Sequence, residues 1–491
     1  MLRDYQERIL QSTRDALKRG WKRPVIVAPT GSGKTHIATA IVEGCNQSGA
    51  RTLFLAPRRE LIYQTLEKFE DAGIESGMIM AGESQRLYAK HQVASFDTLH
   101  ARAVQRDKIV MPACDVVIVD EAHLSLSPSK LNILNHYKDK IVIGLTATPI
   151  RSDGRGLGGF YDQMINEVSV RELIDEGFLV EPEYYAPESW DVSMVKKTRS
   201  DYVTSDLARA VDRPELIGGI YDNWKRIAGD KRTVIFCTNC NHSRHVRDEF
   251  IRRGIKAEHV DGNTERDERA GIFSRVRSGE TQVLTNVYVA SYGLEIPALE
   301  CAVLARPTKS LGLYIQTCGR VLRPSPGKTN TIIIDHTGAV AEHGFLDDAV
   351  PWTLDSKTDI REAKKKQDEE RHEPKEITCN NCGTVFKGQR ECPRCGKALV
   401  PPSEPVPFKK AELKKIDKLD PITFYNMLHT YGKDMGFKPG WAKHQYRNKF
   451  NAWPTIEPRL ETPSKEVIGY VKHSYIKWAR SKLNPANQRR I

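Results

Sequence analysis

Short apolar runs rich in β-branched residues alternate with longer amphipathic stretches over most of the first 350 residues. Runs of this length are typical of buried strands, and the stretches between them have the length of helices. A polar break after Tyr185 divides the runs into two blocks. The first block holds Val25–Val27, Thr52–Leu55, Val116–Val119 and Ile141–Ile143, and the second holds Thr233–Phe236, Val283–Leu284, Ala302–Leu304 and Thr331–Ile334. The pattern predicts an α/β protein with two parallel-sheet domains in tandem.

Four further segments follow the second block. Residues 361–375 are densely charged and nearly free of apolar side chains, which is typical of a linker or a solvated helix. A cysteine cluster comes next, and then a stiff proline-rich spacer, Pro401–Pro407. The tail beyond it contains apolar and aromatic residues and is expected to fold. We therefore predict domains at residues 1–185, 205–355, 376–400 and 408–491.

Positive charge is concentrated at the carboxyl end of the chain. The formal net charge is +12, and residues 401–491 hold 18 Lys and Arg against 8 Asp and Glu. Such clustering favours a polyanionic partner, with a solvated, solubilising surface as the alternative.

The chain shows no sign of a membrane or secretory protein. Its longest apolar runs are far shorter than the roughly 20 residues that a membrane span needs. The segment Met1–Arg8 is too polar for a signal peptide. We therefore expect a cytoplasmic protein with reduced thiols and no membrane partner.

A phosphate-binding loop follows the first predicted strand. Its candidate nucleotide contacts are Pro29, Thr30, Gly31, Ser32, Gly33, Lys34 and Thr35. Glycines let backbone N–H groups turn towards phosphate oxygens, and the next helix begins with its positive dipole end facing them. Lys34 would neutralise the β and γ phosphates of ATP, and the Thr35 hydroxyl would ligate Mg²⁺. Ala28 stands where the strict pattern has a glycine.

An acidic pair follows another predicted strand. Val116–Val119 leads directly into Asp120 and Glu121, at the strand end where ligands bind in open α/β sheets. Asp120 would hold the Mg²⁺ ion, and Glu121 would orient or deprotonate the attacking water. Taken alone, such a pair would more often cap a helix. His123 is a candidate for coupling this site to nucleic acid or to the second domain.

These motifs resemble those of the DEAH-type superfamily 2 helicases, and further motifs follow in the family's order. The resemblance implies that Gln6 contacts adenine and that Arg3 stacks near it. It also implies strand-backbone contacts at Ala56–Leu61 and Ser95–Leu99, and a coupling motif at Thr146–Pro149. If Thr146 and Thr148 stood alone, strand-end capping would be an equal explanation. The implied fold is two RecA-like domains followed by a small zinc ribbon and a basic C-terminal domain.

The second block carries two more motifs of this resemblance. Thr285–Pro297 resembles a segment that contacts both nucleotide and nucleic acid, although Glu295 stands where many relatives have aspartate. Gln316–Arg323 matches the arginine-finger motif, with Gln316 as a nucleotide contact. A guanidinium from the facing domain stabilises charge on the γ-phosphoryl oxygens. Arg323 is the first candidate for the finger, with Arg320 beside it, and surface salt bridges are the alternative role for both.

The cysteine cluster has the spacing of a zinc site. Two Cys-x-x-Cys-Gly knuckles are separated by nine residues, and their cysteines are Cys379, Cys382, Cys392 and Cys395. Four thiolates at this spacing suit tetrahedral Zn²⁺ in a closed, structural site. Cys237 and Cys240 have a similar spacing without partners, and we expect them to be structural.

The tail interleaves aromatic and basic residues. The aromatics are Trp441, Tyr446, Phe450, Trp453, Tyr475 and Trp478, and the basic residues are Lys443, His444, Arg447, Lys449, Lys472, Lys477 and Arg480. Aromatic rings can stack on unpaired bases while cations contact phosphates. We expect most of these aromatics to form the core of the tail instead, and the basic face to bind nucleic acid.

Several segments narrow the resemblance further. Residues 146–160, Val170–Gly177 and Lys438–Ala442 resemble the bacterial RadD-type repair helicases and phage-encoded helicases. This resemblance implies the cytoplasm of a bacterial or phage-infected cell. It also implies action on single-stranded, duplex or branched DNA in repair, recombination or replication, with a repair or replication protein as a further partner. RNA remodelling, a restriction-type translocase subunit and a non-hydrolysing binding module are the alternatives.

Overall fold

The computed structural model describes residues 2–84, 86–151, 154–187, 211–289, 296–350, 352–355, 376–378, 385–387, 412–416, 420–438, 440–450, 453–464, 467–468 and 470–471. In these ranges, no helix has both the length and the apolar composition needed to span a membrane.

The first domain is built on a seven-stranded sheet. Its strands are β1 (Pro24–Val27), β2 (Thr52–Ala56), β3 (Ser76–Ile79), β4 (His91–Ser95), β5 (Val116–Val119), β6 (Ile141–Thr146) and β7 (Gln163–Ile165). Their spatial order is β3-β4-β2-β5-β6-β1-β7, and every neighbouring pair is parallel. The central strands are buried along their whole length, which explains their continuous apolar sequences.

Helices cover both faces of this sheet. They are α1 (Asp4–Lys18), α2 (Lys34–Gln47), α3 (Arg59–Asp71), α4 (Phe96–Leu99), α5 (Pro128–His136) and α6 (Val170–Asp175), and a π-helical turn, His100–Gln105, continues α4. Separate apolar clusters fill the two faces. One contains Phe54 and Phe69, whose rings meet edge to face at 6.0 Å, and the other contains Phe96 and Tyr161.

The second domain repeats this plan. Its strands are β8 (Glu181–Ala186), β9 (Thr233–Phe236), β10 (Ala257–Val260), β11 (Val283–Asn286), β12 (Cys301–Leu304) and β13 (Asn330–Asp335). Its helices are α7 (Pro214–Ala228), α8 (Cys240–Arg252), α9 (Arg266–Ser278), α10 (Leu311–Cys318) and α11 (Ala339–His343). Trp224 is fully buried, and its indole N–H donates to Thr233 Oγ1 at 2.7 Å. Two tandem parallel-sheet domains are thus confirmed.

The second domain begins earlier in the sequence than predicted, and a later segment of the chain also joins it. Strand β8 pairs in parallel with β13, so the end of the segment predicted as residues 1–185 belongs to the second sheet. Beyond the two-stranded antiparallel sheet of β14 (Glu376–Thr378) and β15 (Val385–Lys387), strand β16 (Lys414–Ile416) pairs antiparallel with β8. The preceding Leu413 is buried in the second domain's core. The start of the segment predicted as residues 408–491 therefore completes this sheet.

The tail forms a small helical unit. Helices α12 (Pro421–Asp434) and α13 (Trp441–Phe450) enclose a core of Phe424, Tyr425, Leu428, Ala442, Val467 and Val471. Trp441, Tyr446 and Phe450 pack against this core, as the sequence analysis expected, whereas Trp453 is 48 % exposed. Tyr475, Trp478, Lys472, Lys477 and Arg480 lie outside the described residues.

The chain returns to the first domain after completing most of the second. The backbone N–H groups of Gly156 and Gly158 donate to the carbonyl oxygens of Asp355 and Leu354, at 2.7 and 2.6 Å. Leu354 packs against one apolar cluster of the first domain. Residues 354–355 therefore pack against the first domain, although they follow the last helix of the second.

Candidate functional site

The loop between β1 and α2 forms one end of the interdomain cleft. Gly31 and Gly33 have φ angles of 89° and 76°, in the left-handed region that favours glycine. Lys34 begins α2, so the amino end of this helix faces the cleft. The Lys34 ammonium donates to the carbonyl oxygens of Ala28 and Pro29, both at 3.3 Å. The loop therefore has the geometry of an anion-binding site.

The acidic pair faces this loop from the end of β5. Asp120 and Glu121 are both buried at 9 % exposure, and Asp120 Oδ1 accepts a hydrogen bond from the Glu121 N–H at 2.9 Å. Glu121 has a φ of 47°, which is rare for a residue with a side chain and is frequent at functional sites. Burial and the Glu121 carboxylate raise the pKa of Asp120, while burial lowers the pKa of Lys34. Opposite charges thus lie together in a poorly solvated space.

The second domain supplies the opposite wall. Arg320 and Arg323 line the cleft together with Lys34, Asp120 and Glu121, and the cavity volume is about 450 Å³. The two carboxylates and the two guanidinium groups all act electrostatically on the Lys34 ammonium. The structure therefore brings together the five residues that the sequence analysis proposed for the hydrolytic step, although their motifs span 290 positions of the chain.

The two walls are already in contact. A Cβ built on Gly31 would lie 3.5 Å from Cγ of Arg323, so this arginine side chain passes over the phosphate loop. Gly319 lies against Thr30, because a Cβ there would come within 2.8 Å of the threonine Cβ. Small residues at these two positions let the arginine-bearing loop approach the phosphate loop directly.

Buried polar atoms in the cleft suit a nucleotide with its metal ion. Among the residues that the structure describes, Glu121 Oε2 in the cleft is buried without a hydrogen-bond partner, as is Ser32 Oγ within the phosphate loop. Buried acceptors of this kind are costly unless a ligand, an ion or water satisfies them. Thr35 and Asp120 line the same space and supply the hard oxygen atoms that Mg²⁺ prefers. The residues present therefore fit Mg²⁺ and a triphosphate.

His123 connects the acidic pair to the second domain. Its Nδ1 lies 3.0 Å from Thr146 Oγ1 and 3.3 Å from Glu121 Oε2, and its Nε2 lies 3.3 Å from the Gln316 side-chain nitrogen. Because that nitrogen is a donor, the contacts suit a neutral ring with its proton on Nδ1. Burial lowers the pKa of His123, which also favours the neutral ring.

Gln316 is placed differently from its predicted role as a nucleotide contact. It is buried, and its side-chain nitrogen also donates to Thr148 Oγ1 at 3.2 Å. Thr146 Oγ1 in turn accepts from the Thr148 N–H and donates to the Thr148 carbonyl, both at 3.1 Å. The coupling motif at Thr146–Pro149 thus contacts His123 beside the acidic pair and Gln316 on α10, the helix that precedes the arginine-bearing loop.

The other end of the cleft holds the candidate adenine contacts. Gln6 is buried, donates to the Ser32 carbonyl at 3.1 Å and accepts from the Arg3 N–H at 3.0 Å. The Arg3 guanidinium lies 3.9 Å from the centre of the Phe178 ring. Phe178 lines the cleft with Arg3 and Gln6, but the sequence analysis missed it. No local pattern could have found it, because it lies 175 positions from Arg3.

The candidate strand-contact motifs lie beside the cleft and hold several structural bonds. Ser95 caps α4 by accepting from the Thr98 N–H at 3.4 Å, and Thr98 Oγ1 accepts from the Ala81 N–H at 3.1 Å. Glu60 accepts from Arg269 of the second domain at 2.9 Å. The bond between Glu60 and Arg269 links the motif at Ala56–Leu61 to α9.

Some predicted site residues fall outside the described residues. These are Glu295 and the four cysteines Cys379, Cys382, Cys392 and Cys395. In the part of the chain that is described, no group of three or more His, Cys, Asp or Glu side chains could hold a metal ion. Cys237 is buried at the end of β9, in agreement with the structural role expected of it.

Comparison with known proteins agrees with this architecture. Residues 1–151 match the family described as type III restriction enzyme, res subunit, and residues 215–325 match the helicase conserved C-terminal domain. A 51.5 kDa protein of a Lactococcus phage is 28 % identical over 87 % of this chain and 89 % of its own length. The Saccharomyces cerevisiae protein IRC3, named as an ATP-dependent helicase, is 32 % identical over 69 % of this chain, which spans only 52 % of its length.

A solved structure supports the fold. A fragment of an HsdR subunit of a type I restriction enzyme from Vibrio vulnificus superimposes with a TM-score of 0.55. It is 24 % identical in sequence, and the match covers 70 % of this chain and 66 % of that fragment.

Two RecA-like domains that close over a phosphate loop, an acidic pair and an arginine pair define a nucleotide-driven motor enzyme. With both helicase domains matched, the chain belongs to the superfamily 2 helicases. Its enzyme class is that of the nucleic-acid-dependent ATPases.

Proposed function

We propose that this chain is a DNA helicase or translocase that couples ATP hydrolysis to movement along DNA in repair, recombination or replication. One observation carries the proposal: Lys34, Asp120 and Glu121 of the first domain face Arg320 and Arg323 of the second across a single cavity. A nucleotide bound there contacts both domains, so its binding and hydrolysis change the interaction between the two domains.

At the phosphate end, each residue has a separate role. Lys34 exchanges its two carbonyl partners for the β and γ phosphates. Thr35 and Asp120 would hold the Mg²⁺ ion, which neutralises phosphate charge and orients the triphosphate. Glu121 orients the attacking water and takes its proton. Arg323, with Arg320 beside it, stabilises the charge that spreads over the γ-phosphoryl oxygens.

At the base end, we propose that Gln6 and Arg3 recognise adenine. Beside its bonds to Ser32 and Arg3, the Gln6 amide keeps one N–H donor and one acceptor position on its oxygen, which match adenine N7 and N6–H₂. The Arg3 guanidinium and the Phe178 ring already lie face to face at 3.9 Å. Phe178 offers a ring for stacking in the same space, and it is an addition to the residues proposed from sequence.

His123, Gln316 and Thr148 form the route by which hydrolysis reaches the second domain. Loss of the γ phosphate changes the charge beside Glu121, which lies 3.3 Å from the His123 ring. The ring contacts Gln316, and Gln316 is part of the helix that leads to Arg320 and Arg323. A change in the contact between His123 and Gln316 weakens the interaction between the domains. Repeated closing and opening of the cleft then moves the bound strand.

DNA is favoured over RNA as the substrate by the match of residues 1–151 to a restriction enzyme subunit. The DEAH and RadD-type features of the sequence point the same way. A restriction-type translocase subunit is the second candidate, because the first-domain match is to the res subunit of restriction enzymes.

The C-terminal unit is proposed to bind the nucleic acid. Helix α13 has no acidic residue, and Lys443, His444 and Arg447 are exposed on it. The guanidinium of Arg447 lies 4.7 Å from the centre of the exposed Trp453 ring, and the His444 ring lies 5.1 Å from it. Cations beside an exposed ring suit phosphates and an unpaired base.

We also propose that Cys379, Cys382, Cys392 and Cys395 bind one structural Zn²⁺ ion. The spacing of the two knuckles supports this assignment. Such a site would stabilise a small module between the motor and the C-terminal unit.

The substrate class is tested by steady-state ATPase measurements. We expect turnover to be strongly stimulated by DNA, and the strength of stimulation by single-stranded, duplex and forked DNA identifies the preferred structure. RNA of the same length is the matched control. Stronger stimulation by RNA would replace the DNA proposal with RNA remodelling, and turnover that ignores every polymer would contradict the coupling.

The role of α13 is tested by the double substitution Lys443→Ala, Arg447→Ala. Each lost phosphate contact lowers the slope of log Kd against log salt concentration by about 0.7 to 0.9. On single strands, where each contact contributes about 0.7, we therefore expect a slope reduced by about 1.4, measured by fluorescence anisotropy of labelled single-stranded DNA. The control is Lys18→Ala, Arg19→Ala, which removes two exposed cations from the first domain. Equal slopes for the two variants would remove α13 from the binding surface.

A further inference from the structure

Lys328 lies behind the arginine-bearing loop rather than in the cleft. Its ammonium donates to four backbone carbonyl oxygens: Leu299 at 2.5 Å, Val321 at 2.6 Å, Arg323 at 2.8 Å and Pro297 at 3.3 Å. An ammonium has three N–H donors, so the three shorter bonds saturate it. A cation that is bound only by carbonyl oxygens is a strong local organiser of the backbone.

The carbonyls bound by Lys328 belong to two loops that reach the cleft. Val321 and Arg323 belong to the loop that follows α10, and Pro297 and Leu299 precede β12. Pro297 and Arg323 both line the cavity. One side chain therefore fixes both loops of the second domain relative to each other at the nucleotide site.

The arginine-bearing loop is also held from its other side. The Val180 N–H donates to the Leu322 carbonyl at 2.8 Å. The carbonyls of Val321 and Arg323 thus bind Lys328, and the carbonyl of Leu322 between them binds the Val180 N–H on the other side of the loop. The backbone at the finger is held between Val180, which directly precedes β8, and Lys328, which limits where the Arg323 side chain can reach.

A tight turn places Lys328 for this role. The Lys328 N–H donates to the Ser325 carbonyl at 3.0 Å, and Gly327 has a φ of 80°. With Pro326 before it, this is the sequence and geometry of a type II turn. The turn directs the lysine back towards the loop that precedes it, five positions after the finger.

We propose that Lys328 is a positioning residue that sets the reach of the Arg323 finger across the cleft. This inference rests on the proposed function, because it assigns the finger to Arg323. Lys328 is not among the residues that line the cavity. It acts on hydrolysis through the backbone of the loop that carries the finger.

The charge of Lys328 gives this role a pH dependence. Burial lowers its pKa to about 8, with Glu300 raising the value and Arg232 and Arg323 lowering it further. As the pH rises through this value, the ammonium becomes an amine with two N–H donors and a lone pair. The lone pair repels a carbonyl oxygen, so the clamp weakens above about pH 8 and holds below it.

The main test is Lys328→Met in the full-length chain. A displacement of about 1 Å at a reacting centre costs about 10²-fold in rate. We expect kcat for DNA-stimulated ATP hydrolysis to fall by about this factor, with KM for ATP little changed. The decline in wild-type kcat above about pH 8 should be absent from Lys328→Met and shifted to higher pH in Lys328→Arg. Lys34 remains in all three proteins, so its own titration does not distinguish them.

A matched control separates positioning from loss of stability. Arg275→Met removes a cation that binds Glu258 on the edge strand β10, far along the sheet from β12 and β13. We expect it to lower the unfolding midpoint while leaving kcat and its pH profile as in the wild type. If the two variants lost kcat in proportion to lost stability, Lys328 would be a structural residue only.

The double variant Arg323→Ala, Lys328→Met distinguishes failure of this inference from failure of the proposed function. If Lys328 acts through the finger, the double variant loses no more activity than Arg323→Ala alone. Additive losses would overturn the positioning role while leaving the finger intact. An Arg323→Ala variant with wild-type turnover would instead overturn the finger assignment on which the inference rests.

Discussion

The substitution Arg323→Ala is expected to lower kcat for DNA-stimulated ATP hydrolysis by about 10³ to 10⁵-fold, the range found for arginine fingers. The physical reason is that the guanidinium acts on charge that grows only in the transition state. Arg323 crosses from the second domain to lie against Gly31 of the phosphate loop, which places its guanidinium on the side of the cleft facing the phosphates. Stopped-flow phosphate release measures the effect.

Ground-state binding should respond differently to this change. Lys34 and the loop amides remain, so we expect the affinity for ATP to change by much less than kcat. Arg252→Ala is the matched control, because it removes an exposed arginine of the second domain that pairs with Glu249. A fall in kcat of less than tenfold for Arg323→Ala would move the finger to Arg320.

The second large effect is expected from Glu121→Gln. The amide keeps the size of the side chain but cannot accept a proton from water, and general-base catalysis contributes about 10² to 10⁴-fold. We therefore expect kcat to fall by that range while ATP and DNA still bind. Single-turnover hydrolysis with labelled ATP separates the chemical step from product release.

Two comparisons test the assignment of the base. Lys34→Ala should also abolish turnover, but it should weaken ATP binding, whereas Glu121→Gln should leave ATP bound and unhydrolysed. Glu43→Gln, on an exposed position of α2, is the matched control for the change in charge. Normal turnover in Glu121→Gln would assign the proton transfer to another group.

The candidate residues at the phosphate end of the cleft could be predicted from the sequence because they stand in short contiguous motifs. A phosphate loop needs glycines, a lysine and a threonine in consecutive positions, and an acidic pair must follow a strand directly. The alternation of apolar runs likewise predicted two parallel sheets, since strands buried on both faces are apolar throughout. Each of these features depends on residues that are close together in the chain, so the sequence pattern alone predicts it.

What the sequence left undecided depends on contacts between distant segments. Strand β8 lies in the second sheet because its backbone pairs with β13, about 150 positions away, and apolar periodicity carries no information about that choice. Phe178 enters the base end of the cleft through packing against Arg3. Gln316 turns towards His123 and Thr148 because burial requires partners for its amide.

Lys328 is the clearest example of this division. In the sequence Lys328 is one lysine among many, and it directly follows a proline-containing turn. Its charge alone would predict an exposed position. Its four backbone partners exist only once the loops after α10 and before β12 are folded against each other. The sequence by itself determined which groups are the candidates for the chemistry, because reactive groups are specified by residue type. Only the tertiary structure decided how they are held, because backbone carbonyls are present at every residue and folding alone selects which of them converge.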